Sequence, residues 1–133
     1  MDKELIAPCG MNCGVCYAYL REKNKCPGCR GPDDDKSISC IRCKIKNCKE
    51  IKRKKLKFCF ECASVPCEPL KRLDKRYKGK YHMSMVENLD FIKDKGIKKF
   101  LKWQGKKYSC ACGGTICTHN GKCNDCGAIK ELD

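Results

Sequence analysis

The chain has 133 residues, a formal net charge of +14 and 16 cysteines, and its length fits one compact domain or two very small ones. Leucine, isoleucine, valine and phenylalanine contribute only 24 residues, a share more typical of disordered polypeptides than of globular domains. This composition excludes a large apolar core, so we expect the cysteines to cross-link the fold.

These cysteines can form disulfides or bind metal, and the expected compartment favours metal. The N-terminal residues include acids and only a three-residue apolar run, unlike a secretory signal. No apolar stretch approaches the roughly 20 residues needed to cross a bilayer. We therefore expect a cytoplasmic protein without membrane contact, whose thiols stay reduced.

Five cysteine pairs with two intervening residues are the strongest motif. This spacing lets one tight turn direct two thiolates at a tetrahedral ion, with metal–sulfur bonds of about 2.3 Å. Thiol redox proteins also contain single pairs, but five pairs in so short a chain predict metal binding. The pairs are Cys13/Cys16, Cys26/Cys29, Cys40/Cys43, Cys59/Cys62 and Cys123/Cys126.

Residues 1–70 form the first predicted part, a cysteine-rich metal-binding module. Asn12 is suited to cap a short helix that continues to Leu20, and Asn47 with Glu50 has the pattern of another helix start. Two matching Cys-x-x-Cys-x-x-x-x-Cys units lie 19 residues apart and indicate a duplicated metal half-site. These repeat units contain Cys40, Cys43 and Cys48, then Cys59, Cys62 and Cys67.

The 11 cysteines of this module suffice for two four-cysteine sites with three left over. Our first assignment places Cys13, Cys16, Cys26 and Cys29 in one site, and Cys43, Cys48, Cys59 and Cys62 in the other. Cys9 and Cys67 are alternatives for either site, and a thiolate-bridged cluster would also account for the surplus. Cys9 is also a candidate reactive thiol, although its place in the motif favours a metal ligand.

Residues 71–107 lack cysteine and are predicted to be a basic helical segment packed on the first module. Ser84 and Glu87 fit a capping box at a helix start, and Gly96 suits the end of that helix. A second helix is expected to end before Gly105. The apolar positions expected to face the core are Val86, Leu89, Ile92, Ile97, Phe100 and Leu101.

Residues 108–133 resemble a zinc ribbon, in which two cysteine turns face each other across a small hairpin. Its candidate ligands are Cys110, Cys112, Cys123 and Cys126. The first pair is one residue closer than usual, which leaves open whether Cys117 or His119 completes the set. Gly127 suits a turn that points amide hydrogens at the sulfurs.

With these motifs, the chain resembles an uncharacterised cysteine-rich prokaryotic family, domain of unknown function 3795. The resemblance implies a shared framework of ten cysteines, with Cys40 as an addition, but no activity. The implied framework is Cys9, Cys13, Cys16, Cys26, Cys29, Cys43, Cys48, Cys59, Cys62 and Cys67. The matching stretches are residues 6–16, 26–30, 58–62, 66–67, 73–77 and 83–89, followed by the terminal module, whose Cys110-x-Cys112 spacing departs from the family's ordinary two-residue turn.

All-cysteine surroundings suit zinc or an iron–sulfur cluster. Cys9, Cys13 and Cys16 match the spacing of radical S-adenosylmethionine enzymes, but the strand–helix alternation of their barrel is missing. We therefore favour two or three zinc ions, with an iron–sulfur cluster as the alternative. The expected fold is a small metal-stapled, α-rich (α+β) protein, with short helices around four-cysteine zinc sites and a C-terminal zinc-ribbon-like hairpin.

The basic charge is the main clue to a partner. Three four-thiolate zinc sites would lower the formal net charge from +14 to about +8, which still attracts polyanions. Of the basic residues 24 are lysine and six arginine, which favours phosphate contact over base reading. The candidate contacts are Lys52, Arg53, Lys54, Lys55, Lys98, Lys99 and Lys102. Alternatively, these lysines are simply the solvated faces of helices.

Catalytic motifs are not recognisable in this sequence. The chain has two histidines, no His-Glu-x-x-His arrangement, and no phosphate-binding loop or nucleophile elbow. Our leading hypothesis is therefore a non-enzymatic, zinc-stabilised binding module for nucleic acid or an acidic protein partner. An iron–sulfur or thiol redox protein is the second hypothesis, and a structural or assembly factor is the third.

Overall fold

The computed structural model describes residues 2–33, 36–62 and 65–132, without the side chains of residues 38 and 39. The described part is helix-rich, and its β-pairing is confined to isolated antiparallel bridges. The α-helices are α1 (Tyr17–Leu20), α2 (Ile38–Ile41), α3 (Lys49–Lys54), α4 (Glu68–Tyr81), α5 (Met85–Lys95) and α6 (Ile97–Lys107). Short 3-10 helices span Lys3–Leu5, Cys13–Val15 and Cys59–Glu61.

The predicted helix after Asn12 is two short pieces. The Asn12 side chain accepts a hydrogen bond from the Gly14 amide at 3.0 Å and caps the 3-10 helix Cys13–Val15. Cys16 then adopts an extended backbone (φ −78°, ψ 138°), which interrupts the helical hydrogen bonds before α1 begins. The predicted cap is confirmed, and the predicted continuous helix is wrong.

Helix α3 begins one residue later than the sequence pattern suggested. Cys48, rather than Asn47, stands at the N-cap position. The Asn47 side-chain amide donates instead to the Ile41 and Cys43 carbonyls, at 2.9 and 3.0 Å, and so stabilises the preceding loop. Glu50 forms ion pairs within α3 and therefore does not complete a capping box.

Helices α4, α5 and α6 pack in sequence, α4 against α5 and α5 against α6. The Ser84 half of the predicted capping box of α5 is confirmed, because Ser84 Oγ accepts from the Glu87 amide at 3.1 Å, whereas the Glu87 carboxylate lies 4.0 Å from Lys78 Nζ. The same hydroxyl donates to Asp74 of α4 at 2.6 Å, so one side chain both starts α5 and fixes it to its neighbour. Gly96 ends α5 as predicted.

Helix α6 continues past its predicted end. It passes through Gly105 to Lys107, with Gln104 and the following Tyr108 both buried. Burial of these two side chains stabilises another helical turn. The stabilisation from this burial exceeds the cost of about 1 kcal/mol for a glycine inside a helix. The prediction that this helix ends before Gly105 is wrong.

One buried apolar cluster includes residues from all three predicted segments. It joins Val15 and Leu70 to Met85 and Leu89 of α5, and further to Ile116 and other residues of the C-terminal module. A smaller cluster forms where Ile6 meets α5 and α6. The cysteine-rich loops therefore pack directly on the helices. In the described part of the chain, no helix is both long and apolar enough to cross a membrane.

Candidate metal centre

Four cysteines of the C-terminal module lie together: Cys110, Cys112, Cys123 and Cys126, here called the C-terminal cysteine group. All four sulfur atoms lie within 4.8 Å of one another. The Cys110 and Cys126 sulfurs are 3.6 Å apart, and those of Cys112 and Cys123 are 3.5 Å apart. A tetrahedral ion with bonds of about 2.3 Å separates its sulfur ligands by about 3.8 Å. The group could therefore hold a metal ion.

Two turns facing each other bring these sulfurs together. In the first turn the Cys110 amide donates to the Gly114 carbonyl at 2.9 Å, and Gly113 has a φ of +92°. In the second turn the Gly127 amide donates to the Cys123 carbonyl at 3.0 Å. Isolated bridges Ser109–Thr115, Ile116–Cys123 and Lys122–Ile129 join the surrounding segments. The two glycines after Cys112 allow a tight first turn despite the shortened Cys110-x-Cys112 spacing.

Backbone amides point at two of the sulfurs. The Gly114 amide donates to Cys112 Sγ at 3.4 Å, and the Asp125 and Cys126 amides donate to Cys123 Sγ at 3.4 and 3.5 Å. Such hydrogen bonds stabilise a thiolate and orient it toward a metal. The prediction that amide hydrogens around the second turn face sulfur is confirmed.

Two thiols of the C-terminal cysteine group, Cys112 and Cys123, have opposite shifts in pKa. Hydrogen bonds from the Cys126 and Asp125 amides lower the pKa of the Cys123 thiol to about 7, despite its partial desolvation. The Gly114 amide has a lowering effect on Cys112, but hydrogen bonds with neighbouring thiols, that of Cys123 first, outweigh it and raise the pKa of Cys112 to about 12. Cys123 therefore loses its proton more readily than Cys112, and a thiolate at Cys112 needs a compensating positive charge such as a metal ion.

Cys117 and His119 lie outside this group. Cys117 is buried, with its amide bonded to the Lys122 carbonyl. His119 Nδ1 accepts from the Tyr17 amide at 3.2 Å, and its Nε2 lies 3.1 Å from the Tyr77 hydroxyl oxygen. Both ring nitrogens are thus engaged with α1 and α4, so His119 joins the C-terminal module to the first module. The periodicity of the sequence contained no signal for this role.

The cysteines of residues 1–70 are less closely gathered. Among the described residues, no second set of three or more cysteine, histidine or acidic ligand atoms lies as close together as the C-terminal group. The electrostatic neighbours of Cys13 are nevertheless Cys29, Cys16 and Cys26, which places the first predicted quartet in one region. Ligation by the predicted cysteines of this module stays a prediction.

Burial distinguishes these thiols from reactive ones. Cys9 is 7% exposed, and burial raises its pKa well above the usual value. Burial likewise raises the pKa of Cys13 to about 12. A thiol that resists ionisation is a poor nucleophile at neutral pH, which counts against Cys9 as a reactive cysteine without a metal.

The predicted nucleic-acid contacts are all exposed, and they lie on α3, directly after α3, or on α6. Lys52, Arg53 and Lys54 belong to α3, where Arg53 and Lys54 form ion pairs of 3.2 Å with Glu50, and Lys55 follows directly. On α6, Lys98, Lys99 and Lys102 make no ion pair with any residue that the structure describes. The α6 lysines are thus the more available for an anionic partner.

Comparison with known proteins adds a family but no activity. A family model described as a protein of unknown function, DUF3795, matches residues 5–72. The chain belongs to the DUF3795 family. This match confirms the resemblance over residues 5–72 and ends within α4. The resemblance of the later stretches, including the C-terminal cysteine group, stays a prediction. No curated protein and no solved structure matches the chain.

Proposed function

We propose that this protein is a non-enzymatic, zinc-stabilised module that binds nucleic acid through its lysine-rich surface. The observation that carries the proposal is the C-terminal cysteine group, whose sulfur separations suit one tetrahedral ion. Four protein ligands would leave no open position for a substrate or a water nucleophile, as is usual in structural zinc sites. The role of the ion is therefore to hold the fold.

Zinc is favoured over an iron–sulfur cluster at this group because of the close sulfur spacing. Several irons and sulfides would have to fit among sulfurs that all lie within 4.8 Å of one another. One zinc ion needs no such expansion and matches a four-thiolate ligand set. The three antiparallel bridges around the group support a zinc-ribbon arrangement of this module.

A basic surface around a structural zinc site suits phosphate binding. One four-thiolate zinc site would leave a formal net charge of about +12, so long-range attraction to nucleic acid would persist. Lys98 and Lys102 are exposed one helical turn apart on α6 and so present their ammonium groups on the same side. Lysine contacts phosphate as a point charge, so we expect little sequence preference.

The metal part of the proposal is tested by elemental analysis of protein purified anaerobically. We expect zinc, and we expect the Cys126→Ser variant to lose one equivalent of it. Cys117→Ser is the matched control, because Cys117 lies outside the C-terminal cysteine group, and it should keep the full zinc content. Iron with inorganic sulfide in place of zinc would contradict the proposal and favour the redox alternative.

The partner is tested by fluorescence anisotropy with short RNA and DNA at two salt concentrations. We expect the Lys98→Gln/Lys102→Gln variant to reduce the salt dependence of binding by a log–log slope of about 2, roughly one for each lost phosphate contact. The Lys23→Gln/Lys25→Gln variant removes the same charge from another exposed segment and should retain the slope. No binding at low salt, with zinc retained, would refute nucleic acid and point to an acidic protein partner.

A further inference from the structure

A small cavity of about 50 Å³ lies beside the two repeat units. Its lining includes Cys48 of the first unit and Cys59, Cys62 and Cys67 of the second, together with the buried apolar side chains of Ile45 and Ile51. The sequence predicts Cys43 in the second quartet, with Cys67 as an alternative. In the structure it is Cys67 that lines the cavity, whereas Cys43 does not.

We propose that Cys48, Cys59, Cys62 and Cys67 form a second four-thiolate site, which binds one thiophilic divalent metal ion. This site is separate from the C-terminal cysteine group, and the inference does not rest on the function proposed above. An ion here would join both repeat units and the beginnings of α3 and α4.

The four cysteines form two pairs: one pair lies in a single tight turn, and each member of the other pair directly precedes a helix. Cys59 opens the 3-10 helix Cys59–Glu61 and Cys62 follows it, with the Cys62 amide donating to the Cys59 carbonyl at 3.0 Å. This tight turn suits two ligands of one ion. Cys48 and Cys67 occupy the same place in their repeat units, each directly before a helix, α3 and α4 respectively. The last cysteine of each repeat unit is thus the N-cap residue of the helix that follows it.

The turn at Cys59 is held in place by its surroundings. The Glu61 carboxylate accepts hydrogen bonds from the Lys57 and Phe58 amides at 2.7 and 2.8 Å, and the Cys59 amide donates to the Pro8 carbonyl at 2.9 Å. A fixed loop of this kind prepares two thiols for an ion without further ordering of the backbone.

The chemistry of the lining suits metal rather than water or an organic ligand. Cys59 is only 6% exposed, and the thiols that act on it electrostatically are, from the strongest effect to the weakest, those of Cys67, Cys48, Cys62 and Cys43. An apolar cavity of this size does not bind water well, because water needs polar partners. The four sulfurs are more loosely gathered than those of the C-terminal group. Metal binding is therefore expected to draw the two repeat units together.

The test compares metal content in full-length variants purified anaerobically. We expect Cys67→Ser to lose one equivalent of metal relative to the unmodified protein, Cys117→Ser to lose none, and Cys67→Ser combined with Cys126→Ser to lose two. Full metal content in Cys67→Ser would overturn the inference, and loss from Cys43→Ser alone would return the site to the quartet assigned from sequence. If Cys126→Ser loses metal while Cys67→Ser does not, the inference fails and the proposed function stands. If Cys67→Ser loses metal while Cys126→Ser does not, the inference stands and the proposed metal site of the C-terminal cysteine group fails.

A second variant covers the case in which Cys67→Ser does not fold. Cys67→His keeps a ligand in place, so we expect full metal content but an altered visible spectrum after exchange with cobalt(II). The sulfur-to-cobalt charge-transfer intensity of this site should fall by about one quarter, because one of four metal–sulfur bonds is replaced. An unchanged cobalt spectrum would show that residue 67 does not contact the metal, which would overturn the proposal.

Discussion

Asn12 and Gln104, 92 residues apart in the chain, form a buried hydrogen bond in which Asn12 Nδ2 donates to Gln104 Oε1 at 3.1 Å. Neither side chain is more than 1% exposed. The same Asn12 side chain caps the 3-10 helix Cys13–Val15 through its oxygen. One amide therefore shapes the first cysteine loop and attaches that loop to α6.

Replacing Gln104 by leucine tests the stability that this attachment provides. The change keeps a side chain of similar size but removes the acceptor from Asn12 Nδ2, so we expect a loss of about 1–3 kcal/mol in the free energy of unfolding. Urea denaturation in the presence of zinc measures it. Gly105→Ala on the same helix is the control: its new methyl group would meet no atom within 4 Å, and we expect a gain of about 0.5–1 kcal/mol. Equal stability of Gln104→Leu and the unmodified protein would refute this role.

The sequence predicted local features of the fold better than its long-range contacts. Ser84 and Gly96 were identified as a helix start and a helix end because caps depend on nearby backbone groups. The bond between Asn12 and Gln104 left no pattern, because two isolated amides far apart in the chain carry no periodicity. The extension of α6 beyond Gly105 was missed for the same reason, since distant packing determines it.

The candidate ligands of the C-terminal module were predictable as residue types but not as a set. Spacing identified its cysteines, yet left Cys117 and His119 as alternatives, because spacing does not give the direction of a side chain. The structure engages His119 with Tyr17 and Tyr77 instead. In the first module the repeat was visible in the sequence. Whether Cys43 or Cys67 lines the cavity depends on how the two repeat units pack against each other, which spacing does not predict.

Gly114→Ala is expected to weaken metal binding at the C-terminal cysteine group. A methyl group there would lie 2.7 Å from Cys123 Sγ and 2.8 Å from a carboxylate oxygen of Asp125, so the second turn would have to shift. Since disturbed support around a metal site typically lowers affinity 10- to 100-fold, we expect a loss of about tenfold or more. Competition with a zinc-binding dye measures this affinity.

The matched control for that variant is Gly79→Ala. Gly79 lies within α4, and a methyl group there meets no atom within 4 Å. We expect its zinc affinity to equal that of the unmodified protein. If Gly114→Ala also keeps full affinity, the tight contact with Cys123 has no part in holding the ion.

His119 is expected to make stability depend on pH. Because burial lowers its pKa below the usual 6.5, the unfolded chain binds a proton near pH 6.5 while the folded protein resists it. Stability from this histidine is thus complete above about pH 6.5 and is lost as the pH falls through the lower folded pKa. Protonation would also place a hydrogen on Nδ1, which accepts from the Tyr17 amide. In the neutral form the proton therefore lies on Nε2 and faces Tyr77.

The measurement is urea denaturation at about pH 7.5 and about pH 5 for the unmodified protein and for His119→Gln. Between these pH values we expect His119→Gln to lose less stability than the unmodified protein, because the variant lacks the titrating histidine. Acid release of metal should affect both proteins alike and therefore cancel in the comparison. The same dependence in His119→Gln would show that this contact does not titrate with folding.

Gly10→Ala is expected to destabilise the contact between the first cysteine loop and α5. Gly10 has a φ of +91°, and a methyl group there would lie 2.9 Å from the Met85 carbonyl oxygen and 3.1 Å from Leu89. The Asn88 side chain also donates to the Gly10 carbonyl at 2.9 Å, so the loop cannot move away without losing a buried hydrogen bond. We expect a loss of about 1–3 kcal/mol from backbone strain alone, and a further loss from the contact with α5.

Gly96→Ala separates these two contributions to the cost. Gly96 has a similar φ of +89°, but a methyl group there meets no atom within 4 Å, so this variant carries the conformational cost without the collision. Thermal unfolding with zinc present should therefore show a larger loss for Gly10→Ala than for Gly96→Ala. Equal losses would mean that α5 yields to the added methyl group, and that the close approach of the loop to Met85 is not what requires glycine at position 10.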